Sequence, residues 1–128
     1  KDEFLLIRRG KEPMKGAWSI PGGRQNLGET IKEAAIREIR EETGLEIDII
    51  GLIDVIDSIR KDDKGVVAWH ATLVDYAARH ISGEAVAGDD AMSVGWFNLE
   101  DLQGLGLWSE TARIIRKSAQ IARTLPPR

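Results

Sequence analysis

Cysteine is absent from the 128 residues, which excludes disulfides, thiolate metal sites and a thiol nucleophile together. That absence fits a reducing compartment, and a cytoplasmic location is the expectation. Histidine is nearly absent. His70 and His80 stand at no metal-ligand or triad spacing, and His70, inside a strand-like segment, reads as structural. No apolar run approaches the ~20 residues a membrane-spanning helix requires, so no membrane role is expected. Charge of one sign is lacking as well. The net charge is −3 with acids and bases interspersed, and no basic stripe marks a nucleic-acid partner.

What is present is ordinary for one globular domain over residues 1–128: 42% hydrophobic and 30% charged residues, without repeats or low-complexity tracts. The chain starts without methionine and enters a strand-like run, Phe4-Leu5-Leu6-Ile7, at once. An earlier strand is therefore expected to precede Lys1. Residues 3–9 read as a strand, residues 10–16 as a turn containing Pro13, and residues 17–20 as a short extended piece stopped by Pro21-Gly22-Gly23. Residues 30–43 read as a helix, because Thr30 and Glu33 form a capping-box pattern and Gly44 stands where a terminating glycine belongs. Residues 46–59, rich in isoleucine and valine, predict one or two strands. Lys61-Asp62-Asp63-Lys64-Gly65 has hairpin-turn chemistry, and residues 66–78 return as a long strand. A loop over 82–90, a short strand over 93–98, a helical turn from Leu99 to Leu102 and an amphipathic helix over 109–125 complete the chain. A hairpin beside helical crossovers implies an α/β domain with mixed strand order.

The chemistry gathers on the first helix. Glu38, Glu41 and Glu42 stand at i, i+3 and i+4, so their carboxylates occupy neighbouring rows of one side, much of it shared with Ile31, Ala34 and Ala35. A solvated acidic face neutralised by Arg37 and Arg40 is the bland reading of such a triple. Against it, like charges at i, i+4 repel, and alignment with an inward-packing apolar row makes their cost worse unless a cation lies between them. Oxygen donors clustered without Cys or His suit a hard cation, Mg²⁺ or Mn²⁺.

The wider spacing carries a resemblance. Gly23 is followed after five residues by Glu29 and after seven more by Arg37-Glu38, then by Ile39, Glu41-Glu42, Gly44 and Leu45. This segment resembles the Nudix box without a departure. The approach Arg8-Arg9-Gly10-Lys11-Glu12-Pro13 and Gly16-Ala17-Trp18-Ser19-Ile20-Pro21-Gly22-Gly23 is similar to that of the ADP-ribose pyrophosphatase-like branch. So is the tail from Gly88-Asp89-Asp90 through Trp96-Phe97-Asn98-Leu99-Glu100-Asp101-Leu102. The resemblance implies the Nudix fold, a mixed β-sheet sandwiched between helices (α/β/α). It implies a metal held by Glu38, Glu41, Glu42 and the Gly22 carbonyl, with Glu41, Glu42 and Arg37 in the catalytic machinery. Glu29 and Arg37 would be the supporting pair, with Gly23 and Gly44 shaping the box and Gly22 and Gly23 bringing backbone close to phosphate. Arg9 is the candidate phosphate contact outside the box, with a solvated strand-end arginine as its alternative.

The implied reaction is metal-assisted hydrolysis of a small-molecule nucleoside diphosphate derivative, ADP-ribose or a related nucleoside diphosphate sugar, with Mg²⁺ or Mn²⁺ as cofactor. A (d)NTP pyrophosphohydrolase of the housecleaning type is the alternative. A third reading, a Nudix-like ligand sensor in a transcriptional regulator, would be expected to have lost box carboxylates and to carry a DNA-binding module. Some family members carry a proline or tyrosine roughly sixteen residues beyond the box. Here Arg60-Lys61-Asp62-Asp63 stand in that region, which weakens the ADP-ribose assignment. A base is expected from the 82–90 loop, whose carboxylates are Glu84, Asp89 and Asp90; Asp90, nearest the following strand, is the candidate, against a plain solvated Gly-Asp-Asp turn. Trp18, Trp69, Trp96 and Trp108 could supply a stacking surface for a base, although most tryptophans are core. Homodimerisation is left open.

Overall fold

The structure, a computed structural model, describes residues 3–12, 14–88 and 90–124. Pro13, Asp89 and residue 125, which the sequence reading placed in a turn, a loop and a helix end, lie outside the described residues. In strand β1 (Glu3–Arg9), the consecutive residues Leu6 and Ile7 are both buried, as they must be in a strand covered on two faces. β1 is accordingly the central strand of a three-stranded sheet, between β2 (Trp18–Ser19) and β5 (Ala91–Asn98). Its pairing with β5 runs from Glu3 opposite Asn98 to Arg8 opposite Ser93, then slips at Arg9, which faces Ala91.

Helix α1 (Ile31–Thr43) leads into β3 (Glu46–Lys61), which forms a separate antiparallel hairpin with β4 (Val67–Ser82). Asp62 builds the turn. Its side-chain oxygen accepts from the backbone N–H of Lys64 and of Val66, each at 2.9 Å, and Gly65 adopts the positive φ of 80° that the turn requires. A 3₁₀ segment (Leu99–Leu105) and helix α2 (Ser109–Arg123) end the described fold.

The α/β character matches the sequence reading, and the sheet arrangement refines it. Every strand pairing among the described residues is antiparallel, in two sheets. The physical reason is the placement of α1. It carries the chain from the edge of one sheet to the hairpin of another, so the expected crossover joins two sheets instead of setting two strands parallel in one. The 46–59 segment is one strand of sixteen residues, and four register shifts in its ladder let it bend without breaking.

Helix α2 joins the two halves. Ile115 packs with Leu6 and Leu102, supported by Phe4, Trp18 and Phe97, whereas its neighbour Ile114 packs with Ile53 and Ala77 of the hairpin. No helix among the described residues is long and apolar enough to cross a membrane.

Candidate active site

Helix α1 begins and ends where its sequence says. The Thr30 hydroxyl accepts from the Glu33 N–H at 3.1 Å, and the Glu33 carboxylate accepts from the Thr30 N–H at 2.8 Å. Gly44, at φ 76°, donates its N–H to the Arg40 carbonyl and closes the last turn. That turn is firmly seated, since Thr43 and Leu45 are 0% and 2% exposed. Ala34 lies in the core as expected, but Ile31 is 43% exposed, so the apolar row of α1 is buried only from its second turn onward.

Arg37 organises the site. Its guanidinium holds Glu29 in a two-point pair, Nε to Oε2 at 2.6 Å and Nη2 to Oε1 at 3.0 Å. Nη1 donates to Glu38 Oε1 at 2.6 Å and to Glu41 Oε1 at 2.8 Å, while Nη2 also reaches the Arg24 carbonyl at 2.6 Å. The hydrogen bonds from Arg37 hold the Glu29 carboxyl below its ordinary value, with a further contribution from the Asn26 N–H at 2.9 Å. Glu29 and Arg37 thus tie the loop of residues 24–29 to the helix. The Arg24 carbonyl and the Asn26 amide are additions that no sequence pattern signals, because they are backbone groups.

The Pro-Gly-Gly segment lies directly on the acidic side of the helix. The Gly22 N–H donates to Glu42 Oε1 at 2.7 Å. The Glu38 carboxylate rests so close to Gly23 that a Cβ there would fall 1.1 Å from Glu38 Oε2. A side chain at residue 23 would have to displace the Glu38 carboxylate from this position. Gly22 was expected to offer its carbonyl; in this structure its N–H is the group seen engaged.

Glu42 is the electrostatically strained member. Burial, the nearby Glu38 and the nearby Asp90 push its carboxyl up to about 7, against the opposing pull of the Gly22 N–H and of Arg9. Its neighbours are anchored differently: Glu38 is mostly covered, and Glu41 is exposed on the rim. The donors suit a divalent cation in kind. They are all carboxylate oxygens, and Glu42 sits half-buried beside like charges, where a positive ion would relieve it. Among the described residues, no three Asp, Glu or His side chains converge closely enough to enclose an ion, and Arg37 is the cation between Glu38 and Glu41.

Asp90 and Arg9 meet this cluster from outside the helix, since both act electrostatically on Glu42. Lys11 Nζ lies 2.7 Å from Asp90 Oδ1 in an exposed ion pair, and the Gly10 N–H donates to the Asp90 carbonyl at 3.0 Å. Sequence reasoning missed Lys11; its place two residues beyond Arg9 in a basic stretch was the available signal. Asp89 lies outside the described residues.

The tryptophans divide. Trp18 packs edge-on against Phe97 in the core, with centroids 4.9 Å apart. Trp69 lies under Arg60 near the hairpin tip, Trp96 faces His80, and Trp108 precedes α2. None is among the residues found in contact with the acidic cluster. His70 is an exposed hairpin residue facing Asp57 at 3.3 Å, and His80 bonds the Gly83 carbonyl at 2.9 Å. An open depression of about 550 Å³ flanks α1 beside Leu27, Glu29, Ile36 and Arg37, but Glu38, Glu41 and Glu42 do not line it.

Residues 1–118 match the family model described as the NUDIX domain. The chain is 40% identical over 104 residues to the ADP-ribose pyrophosphatase of Methanocaldococcus jannaschii, covering 81% of this chain and 59% of that protein. The chain thus spans under two thirds of that relative's length. Among solved structures, the MutT NUDIX hydrolase of Burkholderia pseudomallei superposes with a TM-score of 0.76 at 32% identity, over 90% of this chain and 87% of that one. The NUDIX domain of Shewanella oneidensis NrtR, solved with ADP ribose, superposes at 0.73 with 20% identity, over 92% and 76%, a likeness of fold alone. With the box geometry, the family model and these relatives in agreement, the chain belongs to the Nudix hydrolase family.

Proposed function

We propose that the chain is a pyrophosphohydrolase that uses Mg²⁺, or Mn²⁺ in its place, to split the diphosphate of ADP-ribose or a related nucleoside diphosphate sugar. The observation that carries the reading is the interlock of glycine loop and acidic helix, with Glu42 on the Gly22 amide and Glu38 in the side-chain space of Gly23. It sets two helix carboxylates against the backbone of the glycine loop, the kind of groups that a metal–diphosphate pair requires. The 40% identity to a protein named ADP-ribose pyrophosphatase supports the choice of substrate.

Glu38, Glu41 and Glu42 would hold the ion, with the Gly22 carbonyl completing the set. When bound, the ion supplies charge neutralisation of the diphosphate and acidification of water. The protein's own groups do the rest. Arg37 orients Glu38 and Glu41 and is itself locked by Glu29. Asp90 takes the proton of the attacking water as its oxygen bonds to one phosphorus and the bridging P–O bond breaks. Arg9 contributes charge to the departing phosphate. Ligated carboxylates are poor proton acceptors, so the base is sought outside the helix, and Asp90, whose charge acts on Glu42, is the candidate. The products are a nucleoside monophosphate and a sugar phosphate.

One observation favours a second reading. Arg60-Lys61-Asp62-Asp63 stand where some family members carry a proline or tyrosine, which weakens the ADP-ribose assignment relative to (d)NTP hydrolysis. A hydrolysis panel of ADP-ribose, NADH, sugar nucleotides and (d)NTPs with Mg²⁺ separates the two. ADP-ribose or a nucleoside diphosphate sugar should give the highest kcat/KM, and a clearly higher value for a dNTP would establish the second reading.

A further inference from the structure

The loop between β4 and β5 is fastened to the end of the acidic helix. The Val86 N–H donates to the Thr43 carbonyl at 2.9 Å, and the Gly88 N–H donates to the Glu42 carbonyl at 2.7 Å. These carbonyls belong to the final turn of α1, whose C=O groups lack partners within the helix, so the loop acts as its cap. Gly88 makes the closest approach. A Cβ there would lie 2.0 Å from the Glu41 carbonyl oxygen and 3.0 Å from the Glu42 Cα. Both obstacles are backbone atoms of a seated helix and cannot swing aside as a side-chain tip can. Gly83, at φ 94°, makes a second approach at the loop's other end, where a Cβ would meet the Gly44 carbonyl oxygen at 2.7 Å. Beyond Gly88, the Ala91 N–H returns to the Gly88 carbonyl at 3.2 Å, so the glycine and the start of β5 frame Asp90 between them.

We propose that Gly88 is a positioning residue: its lack of a side chain lets the loop dock on the Glu41–Glu42 backbone, and that docking sets Asp90 beside Glu42. The proposal rests on the reading of Asp90 as the base. A side chain at residue 88 has no room between loop and helix, so the loop must lift, and Asp90, two residues away, moves with it. The arrangement also explains a glycine outside the box, in a loop where spacing alone signals nothing.

The test combines kinetics with amide exchange on the full chain. In the unaltered protein, the Val86 and Gly88 amides should exchange slowly, and Gly88→Ala should release Val86 while α1 interior amides stay protected. With the best substrate of the panel, Gly88→Ala should lower kcat at least tenfold with KM changed less than threefold. In an Asp90→Asn background the same substitution should cost less than threefold, because the group it positions is already gone. Gly83→Ala, with its milder approach farther from Asp90, should give the same pattern with a smaller loss, and it serves if Gly88→Ala does not fold. Fast exchange of both amides in the unaltered protein would overturn the proposal, as would losses from Gly88→Ala and Asp90→Asn that multiply in full. An unaltered protein with slow amides but no turnover of any panel compound would instead count against the proposed function.

Discussion

Glu42 carries the sharpest consequence at the scale of single residues. Its carboxyl is raised to about 7 in the folded, metal-free protein, chiefly by burial, against an ordinary value of 4.5 in the unfolded chain. The folded state therefore binds more protons than the unfolded state between those values, and stability falls as pH rises through that window. The penalty is absent below about 4.5 and complete above about 7. Glu42→Gln removes it, so without metal the variant should melt at a higher temperature than the parent at pH 8, with the gain vanishing towards pH 4.5. Thermal scans across that range check the sign. Mg²⁺ should raise the melting temperature of the parent more than that of the variant. Asp90 offers a second test. Asp90→Asn should lower kcat by roughly 10²–10⁴-fold with little change in KM if it is the base, measured by steady-state kinetics on the preferred substrate. Its ion pair with Lys11 is exposed on both sides, so losing that pair should cost little stability. The box residues were legible because a helix converts spacing into proximity. Lys11 and Gly88 were not, because their roles depend on contacts across the fold.

At the scale of elements, α1 is the part most completely written in the sequence. Its capping box and its Gly44 terminus stand where spacing put them. Thr30→Ala should cost about 1 kcal/mol in denaturant unfolding, while kcat under native conditions should hold, because the cap lies at the opposite end of the helix from Glu41 and Glu42. The strands were less legible at their ends. β4 continues to Ser82, past the expected end at Ala78, because its backbone ladder still faces Glu46–Ile49 of β3 after the apolar alternation fades into Arg79 and His80. β5 begins at Ala91, two residues early, through its pairing with Arg9. Side-chain pattern marks burial, whereas a strand ends where its partner ends.

For the whole molecule, the sequence indicated the α/β class and the closing helix, but not that α2 would divide adjacent isoleucines between two cores. Ile114 and Ile115 follow each other in sequence and pack into different clusters, a consequence of α2 lying where two sheets meet. The same meeting brings Val86, Gly88, Asp90 and the end of β1 to the acidic helix, so the site is assembled only when both sheets are in place. In the proposed reaction this assembly breaks a diphosphate with the aid of a divalent ion and the box glutamates. The most direct test is to incubate the purified chain with ADP-ribose and Mg²⁺ and to separate the products by chromatography. The account predicts AMP and ribose phosphate in equal amounts, no turnover in excess chelator, and loss of most turnover in folded Glu42→Gln. Full activity in chelator, or an unimpaired Glu42→Gln, would contradict it.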